Sequence, residues 1–212
     1  MPAVLDADAI RHAEQRLASD AQLAALVARH GPCPLAPQTG VEPWAALVES
    51  VIYQQLAGKA AAAIERRFLA LFSGAPSPQD ILRLDDAELR GAGLSRQKSA
   101  AIRDIASHAL AGRLPDRHCA QDLDDETLIA RLSAPRGVGR WSVEMFLIFT
   151  LGRADVWPVD DYGVRKGWAN TRALAQPPSP RELQPLGEPW RPWRSVLAWY
   201  LWRAAEAAPP TA

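Results

Sequence analysis

Asp160 and Asp161 stand side by side in "VWPVDDYGVRKG", just beyond the most apolar stretch of the chain. Twenty positions before Asp161 lies Trp141, which follows a Gly137-Val138-Gly139-Arg140 turn. A fixed carboxylate in a low-dielectric pocket stabilises developing positive charge and can orient a water molecule. Paired aspartates ahead of a helix also have a plain structural use, because Asp is a good N-cap. Two glycines one residue apart permit positive φ and leave the backbone open to close approach. A helix that starts immediately after them aims unpaired N–H groups and a dipole at an anion such as phosphate. On the entering side the backbone carbonyls of Ser133 and Pro135 can cup a monovalent cation that bridges to the same phosphate. A tight structural turn would use the same glycines, so residue type alone leaves both readings open at both places.

The elements that must position these groups are helical nearly throughout. Ile10, Ala13 and Leu17 space as one apolar face and Leu23, Leu26 and Val27 as another, with Asp20 as an N-cap between them. "HGPCPLAPQTG" is a linker, after which Trp44–Gln55 and Lys59–Phe72 read as two helices broken near Ala57 and Gly58. Ser77, Ser95 and Asp124 cap helices running to about Leu82, Ala111 and Leu132, and Asp85–Arg90 is a short helix ended by Gly91 and Gly93. The glycine turn joins the Asp124 helix to one over Arg140–Leu151, and a last helix spans about Pro192–Ala207. Four of the eight tryptophans (Trp190, Trp193, Trp199, Trp202) lie in the Pro-rich tail, where helical spacing favours core packing. No segment alternates as a strand does, so the fold class is all-α.

The composition limits the function classes. A chain of 212 residues, 48% hydrophobic and 23% charged, is globular. Its longest apolar run, over Val143–Leu151, falls far short of the roughly 20 residues a bilayer needs. With no signal-peptide pattern either, a cytoplasmic protein is expected. Two cysteines, Cys33 and Cys119, are too few for a disulfide framework or a four-thiolate cluster. The 24 Lys and Arg balance 24 Asp and Glu, so no global field draws a polyanion. Charge is nonetheless segregated, with a local excess of basic residues over 95–118 and of acidic residues over 119–135. Any nucleic-acid contact must therefore be a focused patch together with backbone amides.

Residues 134–167 resemble the helix–hairpin–helix plus Gly/Pro-Asp segment of base-excision DNA glycosylases. Within that superfamily they are most similar to the DNA-3-methyladenine glycosylase II family. Five separated segments agree in order: "HGPCPL", "VESVIYQQLAGKAAAAI", "GLSRQKSAAIRDIA", "RGVGRWSVEMFLIFTLGRADVWPVDD" and "PWRSVLAWYLWR". The resemblance implies a two-lobed helix–hairpin–helix glycosylase fold in a compact form lacking the family's extra N-terminal mixed α/β domain. One lobe is expected over residues 43–153, and a second over 1–42 together with 154–212. Family alignment makes Asp161 catalytic and leaves Asp160 as the helix N-cap. It assigns DNA contact to Gly137, Gly139 and Arg140, and the wedge that fills the gap behind a flipped base to Gln55 and Leu56. The resemblance also makes Trp202 the stacking residue of the base pocket, with Trp141 near it and Tyr53 as a looser candidate.

The family pattern also differs at informative places. Members that nick the strand carry a hairpin lysine where this chain has Trp141, so base release alone is expected. Met145 stands where larger relatives have a pocket tyrosine, and Ala57 where a serine is common. The implied activity is hydrolysis of the N-glycosidic bond of alkylated purines of the 3-methyladenine and 7-methylguanine type, after base flipping from double-stranded DNA. No cofactor is implied beyond the structural cation, no membrane partner, and a monomer. A relative acting on uracil or hypoxanthine, or a non-catalytic DNA-binding module, are the alternatives.

Overall fold

Side-chain oxygens set most helix starts. The computed structural model describes residues 3–56 and 58–206. Its helices are α1 (Ala7–Leu17), α2 (Ala21–His30), α3 (Pro43–Tyr53), α4 (Gly58–Leu69), α5 (Pro78–Arg83), α6 (Asp86–Gly91), α7 (Arg96–Leu110), α8 (Arg117–Asp122), α9 (Asp125–Leu132), α10 (Arg140–Met145), α11 (Tyr162–Thr171), α12 (Pro180–Leu186) and α13 (Arg194–Glu206). Asp20, Ser77, Ser95 and Asp124 each accept first-turn amides, as their positions ahead of apolar faces predict. Asp6, Asp85, Asp116 and Ser179 do the same for α1, α6, α8 and α12. Each cap satisfies donors the first turn leaves orphaned and is worth about 1 kcal/mol. Among the described residues the extended pairing is a single antiparallel bridge between Val4 and Arg153, so the protein is all-α. No helix among them is long and apolar enough to cross a membrane.

The chain divides into two units, Gly40–Phe146 and Pro2–Thr39 joined with Leu147–Ala212. The first holds α3 to α10. There α7 packs against α3, α5 and α6 over a core that includes Leu47, Val51, Ile81, Leu89, Ile102, Ile105 and Leu132.

The second unit is built on the α11–α13 pair. Gly167 makes that pair possible, because a Cβ there would fall on the Leu201 backbone. Glu14 of α1 ties the rest together: its carboxylate accepts the Tyr200 hydroxyl at 2.8 Å and the Cys33 amide at 2.8 Å. Cys33 is buried and Cys119 exposed, both as free thiols.

Two elements differ from the periodicity. The stretch expected to be one helix over Arg140–Leu151 is α-helical only to Met145 and then turns π-helical over Phe146–Thr150. The chain leaves one unit for the other there, and an apolar run does not distinguish the two helix types. The helix expected to reach Gln55 stops at Tyr53, because Gln54 takes ψ 131° and Gln55 takes φ 57°.

Candidate functional site

In the second unit a carboxylate, an indole and a phenyl ring meet. Asp161, in extended backbone just before α11, accepts the Val164 amide at Oδ1 over 2.8 Å. Trp202 of α13 donates its indole N–H to the same oxygen over 2.9 Å. Gly163 gives this pair its room. A Cβ there would lie 2.8 Å from Trp202 Cδ1 and 3.0 Å from Asp161 Oδ1. Phe149, from the π-helical turn, stacks on Trp202 with ring centroids 5.5 Å apart and planes 25° from parallel. Tyr162 follows Asp161 with 61% of its surface exposed.

The helix cap is therefore Asp161, and the expectation that Asp160 would cap it is corrected. An N-cap oxygen must reach the third helical amide, and only Asp161 sits one residue before Tyr162. Asp160 is exposed. Asp161 thus serves the helix and remains the carboxylate at the aromatic face. Two donors on one oxygen fix the orientation of the group. Such a site suits a flat, electron-poor ring against the aromatic surface and a cationic transition state beside the carboxylate.

In the first unit the hairpin between α9 and α10 has the geometry its glycines imply. Gly137 takes φ 78°, and a Cβ there would sit 2.9 Å from the Cβ of Ala101 on α7. Asp104 of α7 accepts the Arg136 amide at 2.7 Å, and Val138 donates to the Pro135 carbonyl at 3.3 Å. Gly139 is the N-cap of α10 with no side-chain hydrogen bond to the first turn.

Arg140 is placed differently from a bare cation. Its guanidinium donates to both oxygens of Glu126 and, through Nε, to Glu144 at 2.9 Å. Hydrogen bonding to Glu126 above all, opposed by partial burial, leaves it more firmly protonated than an ordinary arginine.

The turn after α3 lies in the same unit. Leu56 is 39% exposed at its tip, and Gln55 holds the left-handed backbone that an L side chain adopts only under constraint. Two side chains that sequence reasoning missed supply that constraint. Gln54 Nε2 donates to the Gly137 carbonyl at 3.1 Å and to Ser142 Oγ at 3.3 Å. Lys98 Nζ donates to the carbonyls of Ile52 and Gln54 at 2.6 and 2.9 Å. A cleft of about 310 Å³ lined by Gln54, Gln55, Lys98, Arg136 and Gly137 opens beside them.

Of the remaining candidates, Tyr53 donates its hydroxyl to Glu65 at 2.8 Å, and Trp141 is 39% exposed on α10. Both belong to the first unit, whereas Asp161 and Trp202 belong to the second. Ala57 lies outside the described residues. Phe149 was missed because an aromatic in an apolar run reads as core. Among the described residues no cluster of three or more His, Cys, Asp or Glu could hold a metal ion. At the hairpin the Ser133 hydroxyl is buried without a hydrogen-bond partner.

Comparison with known proteins bears on both sites. The family model "HhH-GPD superfamily base excision DNA repair protein" matches residues 48–192. DNA-3-methyladenine glycosylase 1 of Schizosaccharomyces pombe is 37% identical over 169 residues, covering 79% of this chain and 74% of that protein. The alkylbase DNA glycosidase-like protein mag2 of the same yeast is 33% identical over 197 residues, covering 91% and 92%. The solved structure of the S. pombe 3-methyladenine DNA glycosylase Mag1 in complex with abasic DNA superposes with a TM-score of 0.85 at 35% identity, covering 95% of this chain and all of that one.

Proposed function

This chain belongs to the HhH-GPD superfamily of base excision DNA repair proteins, and we propose that it is a monofunctional DNA glycosylase releasing alkylated purines. The observation that carries the reading is Asp161, fixed by the Val164 amide and the Trp202 indole N–H beside a stacked pair of aromatic rings.

The reaction breaks the bond between C1′ of the deoxyribose and the base nitrogen and forms one from C1′ to water. Positive charge builds on the sugar as the bond lengthens, and the Asp161 carboxylate stabilises it and orients the incoming water. A 3-methyl- or 7-methylpurine is already cationic, so it departs as a neutral base without a general acid. The same charge favours its ring against the Trp202 π face, by about 0.5–2 kcal/mol.

The target base must first leave the duplex, at a cost of a few kcal/mol. Leu56 is the apolar tip that fills the gap, and Gln55 meets the orphaned partner base. The amides of Gly137 and Gly139 and the start of α10 at Arg140 hold a phosphate of the same DNA. The Ser133 and Pro135 carbonyls would hold the monovalent cation, which supplies positive charge toward that phosphate when bound. Trp141 occupies the hairpin position where a Schiff-base lysine would be needed for strand cleavage. Double-stranded DNA carrying alkylated bases is the partner, the protein acts as a monomer, and the reaction belongs to the compartment that holds the DNA, here the cytoplasm.

The test is base release from a panel of duplexes, each holding one defined lesion. Release of methylpurines ahead of uracil and hypoxanthine is expected. Release of uracil alone would move the specificity, and binding without release from any lesion would leave a DNA-binding module.

A further inference from the structure

Three residues on one face of α7 hold the two parts of the proposed DNA interface. Lys98 grips the end of α3 through the Ile52 and Gln54 carbonyls. Ala101, one turn on, is the small residue against which Gly137 packs. Asp104, one further turn on, accepts the Arg136 amide. The spacing of three places all of them on the same side of a fifteen-residue helix. Gln54 closes the circuit by donating across to the Gly137 carbonyl.

We infer that Lys98 is a positioning residue for base extrusion: it presets the Gln55–Leu56 turn at a fixed distance from the hairpin that anchors the phosphate. The inference rests on the glycosylase reading above and names a residue that reading does not use. A helix whose end at Tyr53 is followed two residues on by a backbone at φ 57° needs something to hold its last carbonyls, or the turn relaxes. The ammonium group supplies two donors there, and burial lowers its pKa below that of an ordinary lysine. A cation turned inward onto backbone carbonyls is poorly placed to serve as a phosphate contact. Its effect on DNA is exerted through the wedge.

The physical consequence concerns one step only. Extrusion of a paired base needs the wedge in register with the phosphate anchor, whereas a base that has no partner leaves the stack with little help. Hydrolysis at Asp161 follows in either case.

The experiment uses the full chain with Lys98→Met, which keeps the aliphatic stem and removes the donors, and Lys98→Arg, which restores them. One duplex carries a methylpurine opposite its normal partner, and another carries it opposite an abasic site. Base release is measured under single-turnover conditions, and 2-aminopurine beside the lesion reports extrusion independently of hydrolysis. Lys98→Met is expected to slow release and extrusion of the paired lesion about tenfold or more, and of the unpaired lesion less than about threefold. Lys98→Arg should recover most of the loss, and the salt slope of binding should stay as in the unsubstituted protein.

Equal losses on both duplexes, or none on either, overturn the inference. So does a fall in the salt slope of about 0.9, which would make Lys98 a phosphate contact. Should Lys98→Met unfold, Gln54→Met, which cuts the link to the hairpin, must show the same selective loss. If the unsubstituted protein extrudes the base without releasing it, the glycosylase reading fails while the Lys98 inference is still decided by fluorescence. If it does neither, both are overturned.

Discussion

The indole N–H of Trp202 and the backbone N–H of Val164 donate to the same oxygen of Asp161, at 2.9 and 2.8 Å. One carboxylate thus begins a helix and orients the stacking tryptophan, and in the proposed reaction it is also the counter-charge to the sugar. Asp161→Asn separates these duties. Asn caps a helix nearly as well as Asp and keeps an oxygen for both donors, so the fold and duplex binding should persist. Base release should fall about a thousandfold or more, since only the transition state loses its counter-charge. Asp160→Asn, at an exposed residue that caps nothing, should change the melting temperature and activity little. Equal activity in the two variants would remove Asp161 from the chemistry.

Gly163 offers a second measurement on the same pair. Gly to Ala inside a helix ordinarily stabilises by up to about 1 kcal/mol. Here the added methyl meets Trp202 Cδ1 at 2.8 Å and Asp161 Oδ1 at 3.0 Å, so one or both must move. Gly163→Ala should therefore lower single-turnover release about tenfold or more, because sub-ångström misplacement at a reacting group is costly. Duplex affinity should remain within about twofold, the hairpin being untouched. Undiminished release would show that the indole does not need its present place.

Strand cleavage is the third test. With Trp141 where a Schiff-base lysine would stand, abasic product should remain uncut until alkali is added. Borohydride should trap no covalent protein–DNA complex. A trapped adduct would assign a lyase step to one of Lys59, Lys98 or Lys166, the three lysines of the chain.

The sequence exposed what depends on neighbours along the chain. Ser77, Ser95, Asp20 and Asp124 were recognisable caps because an N-cap oxygen bonds amides two or three residues away. Gly137 and Gly139 were legible as a turn for the same local reason. Choosing between Asp160 and Asp161 as the cap was not a local matter on residue type alone, since either aspartate can cap. Helix α11 starts at Tyr162, and the Trp202 indole reaches Asp161 from forty-one positions away.

Helix α12 carries a complete capping box at Ser179 and Glu182, yet inside the Pro-rich tail it was not singled out. Lys98 and Gln54 were invisible because they donate to backbone carbonyls, which carry no sequence signal, and the one side-chain partner, Ser142, lies 88 positions from Gln54. Arg140 looked like a phosphate contact; Glu144 stands one helical turn on and was there to be read, but only the fold brings Glu126 of α9 onto it.

The final prediction separates anchor from pocket. Arg140 is 47% exposed and shares its charge with Glu126 and with Glu144, whose side chain is only 4% exposed. Arg140→Ala should therefore act through the pairing of α9 with α10. An exposed pair is worth about 1 kcal/mol or less, and the burial of Glu144 adds to the loss. Binding should weaken alike for every lesion, because a group at the phosphate anchor does not read the base. The salt slope should fall by less than the 0.9 or so of a bare phosphate contact, since the guanidinium is already neutralised.

Trp202→Ala should instead change which lesions are released. It removes the π face and the donor to Asp161 together, and it leaves Phe149 without its stacking partner. Cationic methylpurines should lose most, because a neutral base gains less from the ring. The deciding quantity is the ratio of release rates for a cationic and a neutral lesion in both variants. A ratio shifted by Arg140→Ala and unmoved by Trp202→Ala would place base selection at the hairpin and not at the Trp202 face.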